Sequence, residues 1–486
     1  MNAKELFEKS LGLHVTSDQE ITGISIDSRR VNCGEVFVAI PTDTDYSQDA
    51  IDKGAVCIVQ ERTTNNEPSA ILVDNARIAA ARLCQYFYQP IPNTLLAVTG
   101  TNGKSSTVSI VSQLLHQTGI STASLGTLGV NVFGAEMDQI DAPNLTTYDA
   151  VSLHKILKKL AMHGVSCVAI EATSHGLHQH RLDGLTFHSA ALTNVTRDHF
   201  DYHKTMDAYI AAKIRLFSRL VNDTAVLNKN SDERFYNVCR QKCLNVLTYG
   251  VDRHDGFTDL AIYNHKFNSG KLQFDLRIYN VIFRSIVLDA IGSFQLENLL
   301  CALGIVLSAY PSVKIDSLVS YIPQLTQIPG RMERVAEYNE ASIFVDFCHT
   351  PDALQRVLTD LNAIPHKSLI VVFGCGGDRD KGKRQQMGII AGKLADKVII
   401  TDDNPRFENP SAIRKDITRD IVNFTEIPNR KNAITHSIAN LKKGDILLIA
   451  GRGNESFQKI MDEKIPLKDK DCVLDAIQGF GYAKNE

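Results

Sequence analysis

Continuous apolar runs of four or five residues at 369–373, 398–401 and 446–450 are the clearest pattern in the chain. Each is rich in Val, Ile and Leu, too short for a helix and apolar on both faces. Each therefore predicts a strand buried from both sides, as in a parallel sheet covered by helices. Similar runs at 95–98 and 166–170 predict two more strands, and helical patterns at 79–88, 107–117, 208–217 and 296–310 alternate with them. That alternation is the rhythm of βαβ units. Two breaks divide it. Gln89-Pro90-Ile91-Pro92-Asn93 stops the first helix just before the strand at 95, and Ile328-Pro329-Gly330 separates the 296–310 helix from a strand at 342–345. The expected fold class is α/β in three domains: 1–90, 91–330 and 331–486.

The length of 486 residues agrees, since a domain averages roughly 150 residues. With 44% hydrophobic and 22% charged residues the chain reads as globular throughout. The 52 Lys and Arg against 55 Asp and Glu give a net charge of −3. No general basic field is left for nucleic acid, and any polyanion must be met by a local site. The start, Met1-Asn-Ala-Lys-Glu-Leu-Phe7, lacks the apolar core of a signal peptide, and no apolar run reaches the ~18 residues of a membrane span. A soluble cytoplasmic protein with no membrane insertion is expected. The ten cysteines include no Cys-x-x-Cys pair and read as reduced thiols.

Chemistry concentrates after the strands. Thr99-Gly100-Thr101-Asn102-Gly103-Lys104-Ser105-Ser106 sits between a strand and a helix. That is the arrangement in which backbone N–H groups cradle phosphates, a lysine reaches the terminal phosphates and a serine hydroxyl ligates Mg²⁺. The loop is shorter than the usual Gly-x4-Gly-Lys, with Val98 in the place of the first glycine. Glu171 ends the 166–170 strand, where a magnesium nucleotide needs a carboxylate; alone, it also reads as an ordinary strand-end charge. Six of the fifteen histidines fall between His175 and His203. Their spacing does not suit zinc, and with Arg181, Arg197, Asp198 and Asp201 they read as a polar site for phosphates or carboxylates, one histidine on Mg²⁺. Lys213, within a good helix pattern, reads by itself as a solvated charge.

Taken together the motifs resemble those of the Mur ligases, ATP-dependent amide-bond-forming enzymes of peptidoglycan precursor synthesis. The likeness runs through Asp27-Ser28-Arg29, the 99–105 loop, Thr146-Thr147, the stretch from Glu171 to Arg181, Thr193 to His199, Lys213, Pro329 to Glu333, Asp346 to Pro351, Gly374 to Arg384 and Asp403 to Arg406. The resemblance implies an N-terminal UDP-binding domain, a central P-loop ATP domain and a C-terminal Rossmann-like domain. It implies that Ser28 contacts the UDP group, and that Thr146, Thr147, Thr173, Gln179 and Arg181 line the muramoyl-peptide channel. Residues 100–106 with Asn298 and Arg331 then hold ATP, and Ser105, Glu171 and His199 surround Mg²⁺. Lys213 matches a lysine carbamylated to bind a second Mg²⁺, against its reading as a solvated charge. His349 and Asp346 become proton acceptors or orienters near the attacking amine.

The implied reaction phosphorylates the D-glutamate carboxylate of a UDP-N-acetylmuramoyl dipeptide, and an amino acid then attacks the acyl phosphate. The added amino acid is expected to be meso-diaminopimelate. It differs from L-lysine by one distal carboxylate, which a guanidinium grips bidentately, and Arg406 in Asp403-Asn404-Pro405-Arg406 supplies one. Arg379 and Arg406 would hold carboxylates; Asn404, Gly451 and Glu455 would take the distal groups. Departures from the family pattern are Pro41 to Ser47 in place of a glycine-bearing turn, Leu145 before Thr146, and Arg452 and Asn454 in the late loop. A monomer is expected. The alternatives are lysine addition, a folylpolyglutamate synthetase-like ligase, and a nucleotide-gated P-loop binding protein without ligase chemistry.

Overall fold

The computed structural model describes residues 1–61, 70–252, 258–268 and 270–483. Three sheets follow one another along the chain. The first sets β1 (Gly23–Ser25), β2 (Glu35–Val38), β3 (Cys57–Gln60) and β4 (Ala70–Leu72) side by side, all parallel. Helices Ala3–Leu11 and Ala76–Phe87 open on the side-chain oxygens of Asn2 and Asn75, which accept from backbone N–H groups of the first turn. Leu6, Phe7, Ala80 and Leu83 of these helices pack against Ile24, Val36 and Val38.

The second sheet contains β5 (Thr94–Thr99), β6 (Thr122–Gly126), β7 (Gly129–Phe133), β8 (Cys167–Glu171), β9 (Phe187–Leu192), β10 (Val221–Asn228), β11 (Asn245–Val251), β12 (Leu260–Asn268), β13 (Lys271–Ile278) and β14 (Val281–Leu288). Its order is β14-β13-β12-β11-β10-β9-β5-β8-β6-β7. Side chains alternate across a strand, and β5 shows the result. Leu96 and Val98 join the core beneath helices Lys104–Gln117 and Phe294–Ala309, while Leu95 and Ala97 join the one beneath helix Ala150–Met162. Helix Phe294–Ala309 is apolar nearly all round, and nearly all of it is buried, as that pattern requires.

The third sheet runs β15 (Glu333–Tyr338), β16 (Ala341–Asp346), β20 (Ile446–Ala450), β17 (Leu369–Phe373), β18 (Lys397–Ile400), β19 (Thr425–Glu426), parallel apart from β15. The apolar runs read from the sequence are β17, β18 and β20. Leu369, Val371 and Phe373 face one core, Ile370 and Val372 the other. A hairpin, β21 (Phe457–Ile460) and β22 (Glu463–Pro466), follows β20. Because β16, β17, β18 and β20 run the same way, the loops after them meet at one edge of the sheet, where open α/β sheets bind ligands.

The α/β class holds, and so does the parallel or mixed central sheet that the resemblance implies: the second sheet is mixed. Antiparallel pairing at both edges, β12-β13-β14 and β6-β7, was not located by the βαβ reading. In β13, Leu272, Phe274, Leu276 and Ile278 are buried and alternate with partly exposed neighbours, the mark of a strand covered on one face only. The phosphate-loop helix opens at Lys104, three residues before the predicted start.

Candidate active site

The loop after β5 turns into helix Lys104–Gln117 at Gly103, whose φ of +86° is in the left-handed region. A Cβ there would fall 2.4 Å from Asn298 Oδ1, so glycine is required for both reasons. The loop is held in shape before any ligand arrives. Asn102 N donates to Asn194 Oδ1 at 3.0 Å, Thr101 Oγ1 lies 3.0 Å from the Tyr209 hydroxyl, and Lys104 Nζ donates to Gly100 O and Thr101 O at 3.0 and 2.8 Å. Burial pulls the Lys104 pKa below its usual value. Ser105 and Ser106 are buried on the first helical turn, with Ser105 Oγ accepting from Arg331 Nη2 at 2.7 Å.

Glu171 ends β8, which pairs with β5 so that Glu171 lies opposite Val98. Its carboxylate accepts from Thr127 N at 2.8 Å and Thr127 Oγ1 at 3.3 Å and is 1% exposed. Among the described residues no cation stands within 4.0 Å of it. Thr146 Oγ1 lies 3.0 Å from Thr127 Oγ1, and Thr147 Oγ1 donates to Glu171 O at 2.7 Å and lies 2.9 Å from Thr173 Oγ1. Arg181 Nη1 donates to Thr147 O at 2.7 Å, and its Nη2 and Nε donate to Gln179 Oε1 at 2.6 and 3.1 Å. Thr146 and Thr173 line the cleft described below, whereas Thr147, Gln179 and Arg181 lie outside its lining.

The histidine stretch divides. His175 stacks against His199, Tyr202 and His203 with ring centroids 4.6, 4.2 and 5.5 Å apart. His180 pairs with Asp183, and His188 Nε2 lies 3.2 Å from Ser308 O. His199 is the member that lines the cleft with Ser105 and Glu171. Burial holds its imidazole down to about 3, so the ring is neutral and has a free lone pair. No three His, Cys, Asp or Glu side chains among the described residues converge tightly enough to hold a metal by themselves. A hydroxyl, a buried carboxylate and a neutral imidazole suit a cation that fills its remaining positions with nucleotide oxygens and water, as Mg²⁺ does.

Lys213 is not a solvated charge. It is 1% exposed, its Nζ donates to Gly100 O at 2.7 Å, and it lies 4.4 Å from the centre of the Tyr209 ring. Burial, with Lys104 nearby, drives its pKa well below the usual value, which favours the neutral amine.

The third sheet closes over this loop. Gly330 and Arg331 follow the second sheet's last helices, and the Arg331 guanidinium is 4.3 Å from the Phe347 ring. Asn102 Nδ2 donates to Asp352 Oδ2 at 3.3 Å, and Arg197 Nε to Asp380 Oδ2 at 3.2 Å. Asp346 accepts from Met332 N at 2.6 Å and Cys348 N at 2.7 Å. With both oxygens so engaged it orients the segment around Arg331. His349 Nδ1 is 2.9 Å from Phe347 O. Its Nε2 is 3.7 Å from Asp198 Oδ2, so the ring lies between a backbone carbonyl and a carboxylate. Asp198, which bridges His199 and His349, was read from the sequence only as part of a polar stretch.

The enclosed cleft is about 330 Å³. Its far end is built by the loops after β17, β18 and β20: Arg379, Arg406, Asp403, Asn404, Gly451 and Glu455. Arg406, with φ +51°, donates through Nη1 to Gly377 O at 2.6 Å. Burial and the neighbouring Arg379 pull its pKa down. Asn404 Nδ2 donates to Glu455 Oε2 at 2.8 Å, and burial together with Asp403 raises the Glu455 pKa. Two guanidiniums and two carboxylates thus face one space, complementary to a molecule with both carboxylates and ammoniums. Pro405 contributes backbone packed on Gly377, and Ser28 lies in a separate cleft of about 910 Å³ beside Arg29, Arg30 and Lys155.

The Mur ligase middle domain matches residues 98–306, and the Mur ligase, glutamate ligase domain, matches residues 330–453. The UDP-N-acetylmuramoyl-L-alanyl-D-glutamate--2,6-diaminopimelate ligase of Rickettsia bellii is 40% identical over 477 residues, covering 97% of each chain. A solved structure of an enzyme of the same name is similar at 30% identity and TM-score 0.68, over 99% of this chain and 100% of its own. The Mycobacterium tuberculosis folylpolyglutamate synthase, solved with ADP and AMPPCP, shares the fold at TM-score 0.63 and 17% identity over 77% of this chain and 92% of its own. The chain belongs to the Mur ligase family.

Proposed function

We propose that this protein is an ATP-dependent ligase that adds meso-diaminopimelate to UDP-N-acetylmuramoyl-L-alanyl-D-glutamate in peptidoglycan precursor synthesis. One observation carries the reading: the phosphate loop and the cluster of Arg379, Arg406, Asp403 and Glu455 line the same cleft. A nucleotide and a diamino diacid held there would meet. The sister reading, a folylpolyglutamate synthetase-like ligase, gains no such support from a likeness of 17% identity.

In this reading three domains share the work: 1–90 grips the UDP group through the cleft at Ser28, 91–330 binds ATP, and 331–486 binds the amino acid. Residues 100–106 cradle the phosphates, Lys104 meets the terminal phosphate, and Asn298 and Arg331 contact the nucleotide. Thr146 and Thr173 line the path of the dipeptide, with Thr147, Gln179 and Arg181 bracing them. Ser105, Glu171 and His199 would hold Mg²⁺ and a carbamate on Lys213 a second, and such cations would supply positive charge beside the phosphoryl oxygens.

The D-glutamate side-chain carboxylate oxygen attacks the γ-phosphorus, the bond to the β-phosphate oxygen breaks and ADP leaves. The amine of diaminopimelate then attacks the acyl carbon, gives up a proton, and phosphate departs. His349 accepts or orients that proton, and Asp198, 3.7 Å from its Nε2, balances the charge. The protein works in the cytoplasm as a monomer on small-molecule substrates; no helix among the described residues is long and apolar enough to cross a membrane.

The test is a dipeptide substrate carrying a heavy-oxygen label in its glutamate side-chain carboxylate. Transfer of the label to inorganic phosphate, dependent on both ATP and meso-diaminopimelate, is the expected result. ATP hydrolysis indifferent to the dipeptide would overturn the reading and favour a nucleotide-gated switch.

A further inference from the structure

The loops that carry Arg379 and Arg406 are tied together from beneath by one buried guanidinium that touches neither arginine. Arg384, on helix Gly382–Leu394, is 1% exposed. Its Nη2 donates to Glu408 Oε1 at 2.8 Å and its Nη1 to Glu408 Oε2 at 3.1 Å, a two-pronged pair. Nη2 also reaches Gly376 O at 3.3 Å, and Nη1 reaches Asp416 Oδ2 at 3.0 Å. Glu408 Oε1 accepts in addition from Asp378 N at 2.6 Å. One ion pair thus grips the loop after β17 at Gly376 and Asp378 and the loop after β18 at Glu408.

Between those grips the loops are stitched directly. Gly377 N donates to Asn404 O at 2.9 Å, Phe407 N to Asp378 Oδ2 at 3.2 Å, and Arg406 Nη1 to Gly377 O at 2.6 Å. A Cβ on Gly377 would fall 1.9 Å from Pro405 O, so the loops are already as close as backbone permits. Sterics set the lower limit of their spacing, and the two-pronged pair opposes their drifting apart.

We propose that Arg384 and Glu408 are a positioning pair that fixes the separation of Arg379 and Arg406, and so selects an amino acid with a second carboxylate. The proposal rests on the functional reading above. Arg384 has two separable carboxylate partners: Glu408 belongs to the substrate loops, whereas Asp416 lies on the next helix, Pro410–Thr418. A merely structural arginine would be as sensitive to one as to the other.

The experiment compares wild type, Glu408→Gln and Asp416→Asn in steady-state assays with meso-diaminopimelate and L-lysine, alongside thermal melting. In Glu408→Gln the KM for meso-diaminopimelate should rise about tenfold or more and its preference over lysine should fall, because small displacements of positioned groups are costly. The KM values for ATP and the UDP-dipeptide should stay near wild type, and Asp416→Asn should leave the preference intact. If Glu408→Gln proves too unstable to assay, Arg384→Lys, which keeps the charge and loses the fork, reads the same quantities. Equal changes in all three KM values, or an unchanged preference, overturn the positioning pair. A wild-type enzyme that ignores meso-diaminopimelate overturns the functional reading itself.

Discussion

Arg331 Nη2 donates a 2.7 Å hydrogen bond to Ser105 Oγ, so the residue that follows Gly330 at the start of the third sheet's segment holds a hydroxyl on the first turn of the phosphate-loop helix. Its guanidinium is braced by Phe347, and burial lowers its pKa. A cation placed this way ties the third sheet's segment to the phosphate loop. Arg331→Ala should lower kcat by about two to three orders of magnitude, the usual cost of deleting one group that stabilises transferring charge. Phosphate-release kinetics measure this, and binding of the UDP-dipeptide, followed by calorimetry, should persist.

Lys104→Ala and Glu171→Ala should each abolish turnover while the UDP-dipeptide still binds, because the cleft proposed for its uridine, at Ser28, is separate from the one they line. Near-normal turnover in Lys104→Ala would remove the phosphate loop from the account.

Much of this was legible in the sequence, for identifiable reasons. β17, β18 and β20 are buried on both faces, which leaves an unbroken apolar run, and the loops after them carry the site by the rule for parallel sheets. The antiparallel edge was less visible, because β13 is buried on one face and its alternation is a weaker signal than a continuous run.

Residues that act by burial were the hardest to read. Lys213 looked solvated because nothing in a helix pattern shows that its end lies beneath the phosphate loop. Arg384 and Glu408 were missed as a pair for a similar reason: 24 positions separate them, and only the fold joins them. The histidine stretch misled in the other direction. Closeness in sequence suggested one site, yet His180 and His188 turn to structural partners.

Lys213→Ala should be inactive, and formate or acetate should restore part of its activity by placing a carboxylate in the vacated space. Mass spectrometry of the native enzyme prepared in bicarbonate should detect the carbamate. A fully active Lys213→Ala enzyme would remove the residue from the site.

His154 offers a test of stability against pH. It is fully buried, with Nδ1 2.8 Å from Ala150 O and Nε2 without a partner among the described residues. Burial lowers its pKa from 6.5 to about 4. Between those values the unfolded chain takes up a proton that the folded one refuses, so stability is lost as pH falls from about 6.5 toward 4, on the order of 3 kcal/mol in all. His154→Leu should flatten that acid limb in denaturation curves collected across the window; parallel curves for the two proteins would contradict it.

The central claim is that the cleft is built for an amino acid with a second, distal carboxylate, held where Arg379 and Arg406 face Asp403 and Glu455. Its most direct test is the ratio of kcat/KM for meso-diaminopimelate to that for L-lysine, in wild type and in Arg406→Ala. A site built to bond a group can reject an analogue lacking it by on the order of 10⁴-fold. The account predicts a wild-type ratio of that order that collapses in Arg406→Ala through loss of diaminopimelate use. Efficient incorporation of lysine by the wild type, or unchanged diaminopimelate use by Arg406→Ala, would contradict it.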